Sequence, residues 1–248
     1  MKIDRIEWWE VNQFVHQEMV NSPEYAASHE RWDLVPKFIL RLHTDEGHYG
    51  VGETSRGAQR SDIELAARQL LGVDPRRVSL RRLPIDEMPA ATAKGFEVGL
   101  FDLIGRIRDM SVSALLGGPC RDHVVSSYWA GLQTPEHSVV AAAAARDGGY
   151  SCLKFKITQG MPVIERLQRM LEVAPDLRFI VDAMQRYDDF GQMQDLVRQM
   201  ADLNVVCLED PFPRDRHDWY RQLRQEGGIP IALHLASTEL ILQALQED

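Results

Sequence analysis

CLKFKI, residues 152–157, is the stretch on which the fold turns. Side chains alternate along a strand, so Lys154 and Lys156 share one face, with Cys152 beside them. In an otherwise apolar, buried strand a pair of charges is costly unless it is used. Runs of the same kind recur on either side: VVSSYWA (124–130), RFIVD (178–182), VVCLED (205–210) and PIALH (230–234). Amphipathic helical segments separate them. Val163, Ile164, Leu167, Met170 and Leu171 form one apolar face, and Met193, Leu196, Val197 and Met200 form another. The strand ends Ala130, Lys156, Asp182, Glu209 and His234 follow one another at 26, 26, 27 and 25 residues. A steady strand–helix period with buried apolar strands predicts an α/β fold with a parallel sheet, and at this regularity a TIM-like (β/α) barrel. An open doubly wound sheet is disfavoured because no Gly-rich loop follows its first strand. About five βα units are present, whereas a closed barrel has eight strands, and three more units would add about 80 residues. The expectation is an incomplete barrel: a fragment, a natural short form or half of a complementing assembly. Its unpaired edges predict a homo-oligomer or association with a complementing chain.

Working back toward the N-terminus, the pattern changes at GGP (117–119), which sets the expected domain boundary between 1–118 and 119–248. Residues 61–118 read as helical, with Phe96, Leu100, Leu103, Ile104 and Ile107 on one face. KFILRLH alternates as a half-buried strand, and TDEG followed by HYGVGET completes a hairpin in which Gly47 supplies positive φ. Residues 12–32 show no clear period and predict a long loop containing Tyr25 and Trp32, of the kind often used as a lid.

Composition narrows the function. Hydrophobic residues make up 44% of the chain, enough for a sizeable core. No apolar run approaches ~18 residues, and the start MKIDRIEWWEVNQF has no signal-peptide pattern. A net charge of −9 argues against nucleic acid or an anionic membrane as partner, while leaving room for a small anion at a local positive site. Cys120, Cys152 and Cys207 are odd in number and lie far apart without a CxxC, so neither a disulfide framework nor structural zinc is expected and a cytoplasmic setting fits.

One strand register places Lys154, Lys156, Asp182, Glu209 and His234 around the C-terminal mouth, where barrel enzymes keep their active sites. Taken singly, each has an ordinary alternative: a solvated strand end, a helix cap, a turn, a rim histidine. The joint pattern of two lysines and two carboxylates on consecutive strand ends is harder to reach by accident. Carboxylates on rigid strand ends make a hard oxygen site suited to Mg²⁺, which would bind a substrate carboxylate and stabilise the enediolate formed when the α-proton leaves. A lysine acting as base must be neutral, and a nearby ammonium and metal both lower its pKa.

At these residues a family resemblance becomes specific. FILRLHTDEGHYGVGET (38–54) and GFEVGLFDLIGRIRDMSVSALLGGPCRDHV (95–124) resemble the capping hairpin and capping helix of the mandelate racemase/muconate lactonizing enzyme family of the enolase superfamily. LKFKI resembles that family's K-x-K strand, VDAMQRY its V-D-x-N-Q metal strand, and LEDP its second metal strand. The matches run in order along the chain. The resemblance implies an α+β capping domain with a modified barrel, and a Lys base working with Mg²⁺, the superfamily's known pattern. It implies Lys156 as base, Lys154 as its electrostatic partner, Asp182 and Glu209 as metal ligands, and the segment near 14–34 as a closing loop. Two departures stand out. Met184 replaces the usual Asn, and His234 stands where a third Asp or Glu ligand is expected, so Mn²⁺ or another divalent metal is an alternative to Mg²⁺. Glu239 is a further, less direct candidate.

The implied activity is proton abstraction next to the carboxylate of a small substrate, as in an acid-sugar dehydratase, a racemase or a cycloisomerase, with a polar mouth favouring an acid sugar. Two other readings stay open: a catalytically incomplete structural or binding protein, and a Schiff-base enzyme using Lys154 or Lys156 as nucleophile.

Overall fold

The computed structural model describes residues 1–28, 34–79, 82–226, 228–235 and 237–246, with backbone only at 26–28; Trp32 lies outside them. The chain divides into two compact units, Met1–Phe14 with Leu34–Val124, and Val15–Asp33 with Val125–Asp248.

In the first unit, β1 (Ile3–Phe14), β2 (Leu34–Thr44) and β3 (Tyr49–Glu53) form an antiparallel sheet in that order. Phe38, Leu40 and Leu42 are buried on one face of β2, as their alternation requires. The β2–β3 turn carries Gly47 at φ 88°. Helix α1 (Arg60–Leu70) buries Ile63, Ala66, Ala67 and Leu70, and α2 (Ala90–Arg108) buries Phe96, Leu100, Leu103 and Ile104 against the sheet. The approach of α2 is close enough that a Cβ on Gly52 would sit 2.0 Å from the Gly95 carbonyl oxygen. Glycine on the strand is therefore a condition of the packing. Helix α3 (Val112–Leu115) starts at Ser111, whose hydroxyl accepts the Ala114 N–H.

The second unit is a parallel sheet in the order β4 (Tyr128–Leu132), β5 (Cys152–Lys156), β6 (Arg178–Asp182), β7 (Val205–Glu209), β8 (Ile231–Ala232). Each strand is followed by a helix: α4 (Pro135–Asp147), α5 (Val163–Val173), α6 (Phe190–Met200), α7 (His217–Glu226) and α8 (Thr238–Gln246). This is the βα succession of a barrel, spanning the expected units. Leu153, Phe155, Phe179, Val181 and Leu208 pack into one core with Ala141, Leu167, Met170, Met193 and Met200 from the helices. The rings of Phe155 and Phe179 meet edge to face at 6.0 Å. Helix starts are set locally: the Thr134 side chain accepts from His137 N–H ahead of Pro135, and Asp189 accepts from Gln192 N–H.

Three details differ from the sequence reading. The first strand ends at Leu132 rather than Ala130, because its register shifts between those residues. The last strand pairs over only Leu208↔Ile231 and Glu209↔Ala232, so His234 lies beyond it. Residues 12–28, the described part of 12–32, are not one long loop. Strand β1 continues to Phe14, and short 3-10 turns occupy Gln17–Met19 and Pro23–Ser28.

That segment closes the β4 edge. Asn21 Oδ1 accepts the Leu132 N–H at 2.8 Å, and Ser22 N–H donates to the Leu132 carbonyl at 2.8 Å. Gln133 Nε2 donates to the carbonyls of Glu18 and Val20, and the Ser22 hydroxyl accepts the Thr134 N–H while lying 2.5 Å from His137 Nδ1. Gly131 makes room for this clasp, since a Cβ there would stand 2.2 Å from Asn21 Oδ1. Edge backbone groups that would otherwise face solvent are thereby satisfied.

Candidate active site

Strand pairing sets Lys156, Asp182, Glu209 and Ala232 side by side in one row, with Lys154 and Ile180 in the row beneath. Lys154 reaches up from that lower row. Its Nζ lies 2.7 Å from both carboxylate oxygens of Glu209 and 3.2 Å from Asp182 Oδ2. Burial pulls the Lys154 pKa down, but the Glu209 bond and the Asp182 charge outweigh it and leave the ammonium raised above its ordinary value. Lys154 is therefore a fixed cation in this arrangement.

Lys156 is half-buried, and its Nζ stands 5.9 Å from the centre of the Trp129 ring. Its carbonyl accepts a 2.9 Å bond from Arg166 Nη1. Arg166 is wholly buried, its Nε donates to the Ser138 hydroxyl, and its guanidinium lies 4.5 Å from the Phe155 ring centre. Burial lowers its pKa to about 9. A buried guanidinium spanning α4, α5 and the end of β5 holds the lysine strand in place, and sequence periodicity alone had assigned it no task.

Asp182 Oδ1 accepts the Met184 N–H at 2.9 Å, with Met184 at φ 51°. The missing Asn side chain at 184 therefore leaves a backbone donor on the carboxylate. Asp210 ties the strand ends together. Its Oδ1 accepts the His234 N–H at 3.0 Å, and its Oδ2 accepts from Gln185 Nε2 and Arg214 Nη2 at 3.2 and 3.3 Å. It sits in the left-handed region at φ 44°.

His234 stands apart from the rest. Its Nδ1 is 3.7 Å from Glu209 Oε1, and its side chain is 70% exposed. Arg214 donates to its carbonyl. Glu239 is exposed at the start of α8, where its own backbone N–H and the Ser237 hydroxyl lower its pKa. Burial raises the Cys207 thiol, which argues against a nucleophilic role.

The structure thus gathers Lys154, Asp182 and Glu209, sets Lys156 in the same row as the two carboxylates, and leaves His234 at the margin. Among the described residues, no group of three His, Cys, Asp or Glu side chains has metal-ligand spacing. The carboxylate pair still fits a divalent cation. Both acids converge on one positive charge, and a pair of carboxylates completed by water and substrate oxygens is an ordinary Mg²⁺ set.

Comparison with known proteins bears on the fold that carries these residues. Residues 138–246 match a family model described as enolase C-terminal domain-like. The chain is 24% identical over 227 residues to a D-galactonate dehydratase of Klebsiella pneumoniae (strain 342), covering 81% of this chain and 59% of that protein. It is 23% identical over 225 residues to an N-succinyl-L-Arg/Lys racemase of Bacillus cereus, covering 84% and 61%. The chain therefore spans about three fifths of the length of the curated relatives it matches. A dipeptide epimerase from Cytophaga hutchinsonii, solved with Mg and D-Ala-L-Val, superposes with a TM-score of 0.82 at 19% identity, over 100% of this chain and 70% of that one. Among the described residues, no helix is long and apolar enough to cross a membrane. Residues 138–246 are thus enolase C-terminal domain-like, and the chain is similar in sequence to dehydratases and racemases and in fold to an epimerase.

Proposed function

We propose that this chain carries the proton-abstracting half of a metal-dependent site acting on a small carboxylate, with an acid sugar as the favoured substrate class. Lys156 is the base that takes the α-proton. Lys154 is charged and neutralises the two carboxylates in the metal-free chain. Asp182 and Glu209 would hold a divalent cation, Mg²⁺ or Mn²⁺, with His234 as an outlying donor. When bound, such a cation supplies stabilisation of the negative charge that develops on the substrate carboxylate. Arg166 and Asp210 keep the strand ends in position. The observation that carries the reading is the convergence of Asp182 and Glu209 on one cation next to the row position of Lys156. Sugar acids are favoured because the mouth is polar and a D-galactonate dehydratase is among the relatives.

A calorimetric titration of the folded chain with MgCl₂, beside an Asp182→Ala/Glu209→Ala double variant, tests the site. Binding that the double variant abolishes is the expected result. Unchanged binding in the double variant would move the cation elsewhere. No binding by the folded wild type or by folded single-site variants would favour the competing reading, a structural or binding protein that retains the fold. The exposure of His234 and the two-residue β8 are the observations on that side.

A further inference from the structure

The best-made contacts in the site are ones that a metal would have to break. The Lys154 ammonium lies against three carboxylate oxygens, two of Glu209 at 2.7 Å and one of Asp182 at 3.2 Å. The side chains of Lys154, Asp182 and Glu209 are only 24%, 11% and 14% exposed, so water screens the triad weakly. The second oxygen of Asp182 is already engaged by the Met184 N–H. A divalent ion between Asp182 and Glu209 would therefore compete with the ammonium for the same oxygens.

We infer that Lys154 is a tethered competitor for the cation: it neutralises the Asp182–Glu209 pair in the metal-free chain and is released from that pair when a divalent ion binds. This rests on the reading of those two carboxylates as the metal-binding pair. Being attached to the neighbouring strand, the ammonium competes at high effective concentration. Asp182 and Glu209 are direct neighbours in the β6–β7 register. Removing Lys154 would leave two like charges side by side with one counter-charge fewer, and a divalent ion would then relieve a larger repulsion. Arg166 and Asp210 hold the strand ends independently of Lys154, so the carboxylates stay close when the ammonium leaves.

The experiment is calorimetric titration of wild type and Lys154→Met with MgCl₂ and, separately, MnCl₂, with circular dichroism to confirm folding. The dissociation constant of Lys154→Met is expected to be tighter by about tenfold or more. Equal or weaker binding overturns the inference. A second measurement uses wild type alone. Acetylation of Lys154, followed by mass spectrometry, should speed up several-fold when MnCl₂ saturates the site, with Lys37 as internal reference. Slower or unchanged labelling overturns the inference even where Lys154→Met fails to fold. If wild type and Lys154→Met bind equally, and Asp182→Ala/Glu209→Ala abolishes binding, only the inference falls. If no folded variant binds either metal, the inference and the metal-site reading fall together.

Discussion

The parallel sheet has two edges, and they are finished in opposite ways. At β4 the backbone groups of Leu132 are taken up by Asn21 and Ser22, Gln133 ties the same segment down, and Ala130 and Leu132 are fully buried. At β8 only two residues pair with β7, and the helix that follows buries none of its side chains. Ile241, Leu242 and Leu245 on that helix are 46%, 54% and 68% exposed. Site quality follows this gradient. Lys154, Asp182 and Glu209 lie on the inner strands and are held by several bonds each. His234 lies past the open edge and faces solvent.

Mutations test this contrast directly. The largest effect is expected away from both edges. Phe179→Ala, in the core shared by β5, β6 and their helices, should cost about 3–5 kcal/mol in urea unfolding. By comparison, Leu245→Ala on α8 should stay within about 0.5 kcal/mol. A comparable loss at Leu245 would mean that the open edge is structurally as important as the centre. Next comes the clasp. Gly131→Ala drives a methyl group into Asn21 and should destabilise the second unit by about 1–3 kcal/mol. Asn21→Ala strips the Leu132 N–H of its acceptor and should cost about 1–3 kcal/mol while raising hydrogen exchange at Leu132. In wild type, Leu132 should exchange much more slowly than Ile231 if the edges differ as described. Similar protection at both would erase the comparison.

The smallest effect is a control in the first unit. A side-chain bond from Arg76 lowers the Asp74 pKa to about 2. A depressed carboxylate contributes stability that is fully present above its unfolded pKa of about 4 and lost as pH falls toward about 2. The pair lies at the surface, with Asp74 half-buried and Arg76 exposed, so the contribution is small. Asp74→Asn should lower the urea midpoint slightly at pH 6 and leave it unchanged near pH 2. A difference that persists at pH 2 would point to packing rather than charge.

Much of this molecule was legible in the sequence because its signals were periodic. The 26-residue rhythm from Lys156 to Asp182 follows from strands and helices of fixed rise, so the parallel sheet and its order came through. Alternation placed Lys154 and Lys156 on one face. What stayed hidden was non-periodic. The Asn21–Leu132 clasp joins residues 111 apart through a side-chain amide, and no pattern in 12–32 announces it. Arg166 is not among the apolar positions that define its helix face in the sequence, yet it is wholly buried and holds the Lys156 carbonyl. Asp210 needs a left-handed backbone to reach three donors, which the LEDP motif does not express. The sequence reading expected a second ammonium near Lys156, and the contacts of that ammonium, Lys154, with Asp182 and Glu209 were not part of it.

Proton exchange at the α-carbon needs only one base on one face, so it can be asked of the site on β5–β7 without any group from elsewhere. The measurement is deuterium incorporation from D₂O into a panel of sugar acids and N-acylated amino acids, followed by NMR with MgCl₂ or MnCl₂ present. Wild type is expected to exchange the α-proton of at least one compound. Lys156→Met should slow that exchange by about 10²–10⁴-fold, and Asp182→Ala/Glu209→Ala should abolish it. Exchange that survives intact in Lys156→Met would contradict the assignment of the base, and with it the account of this site.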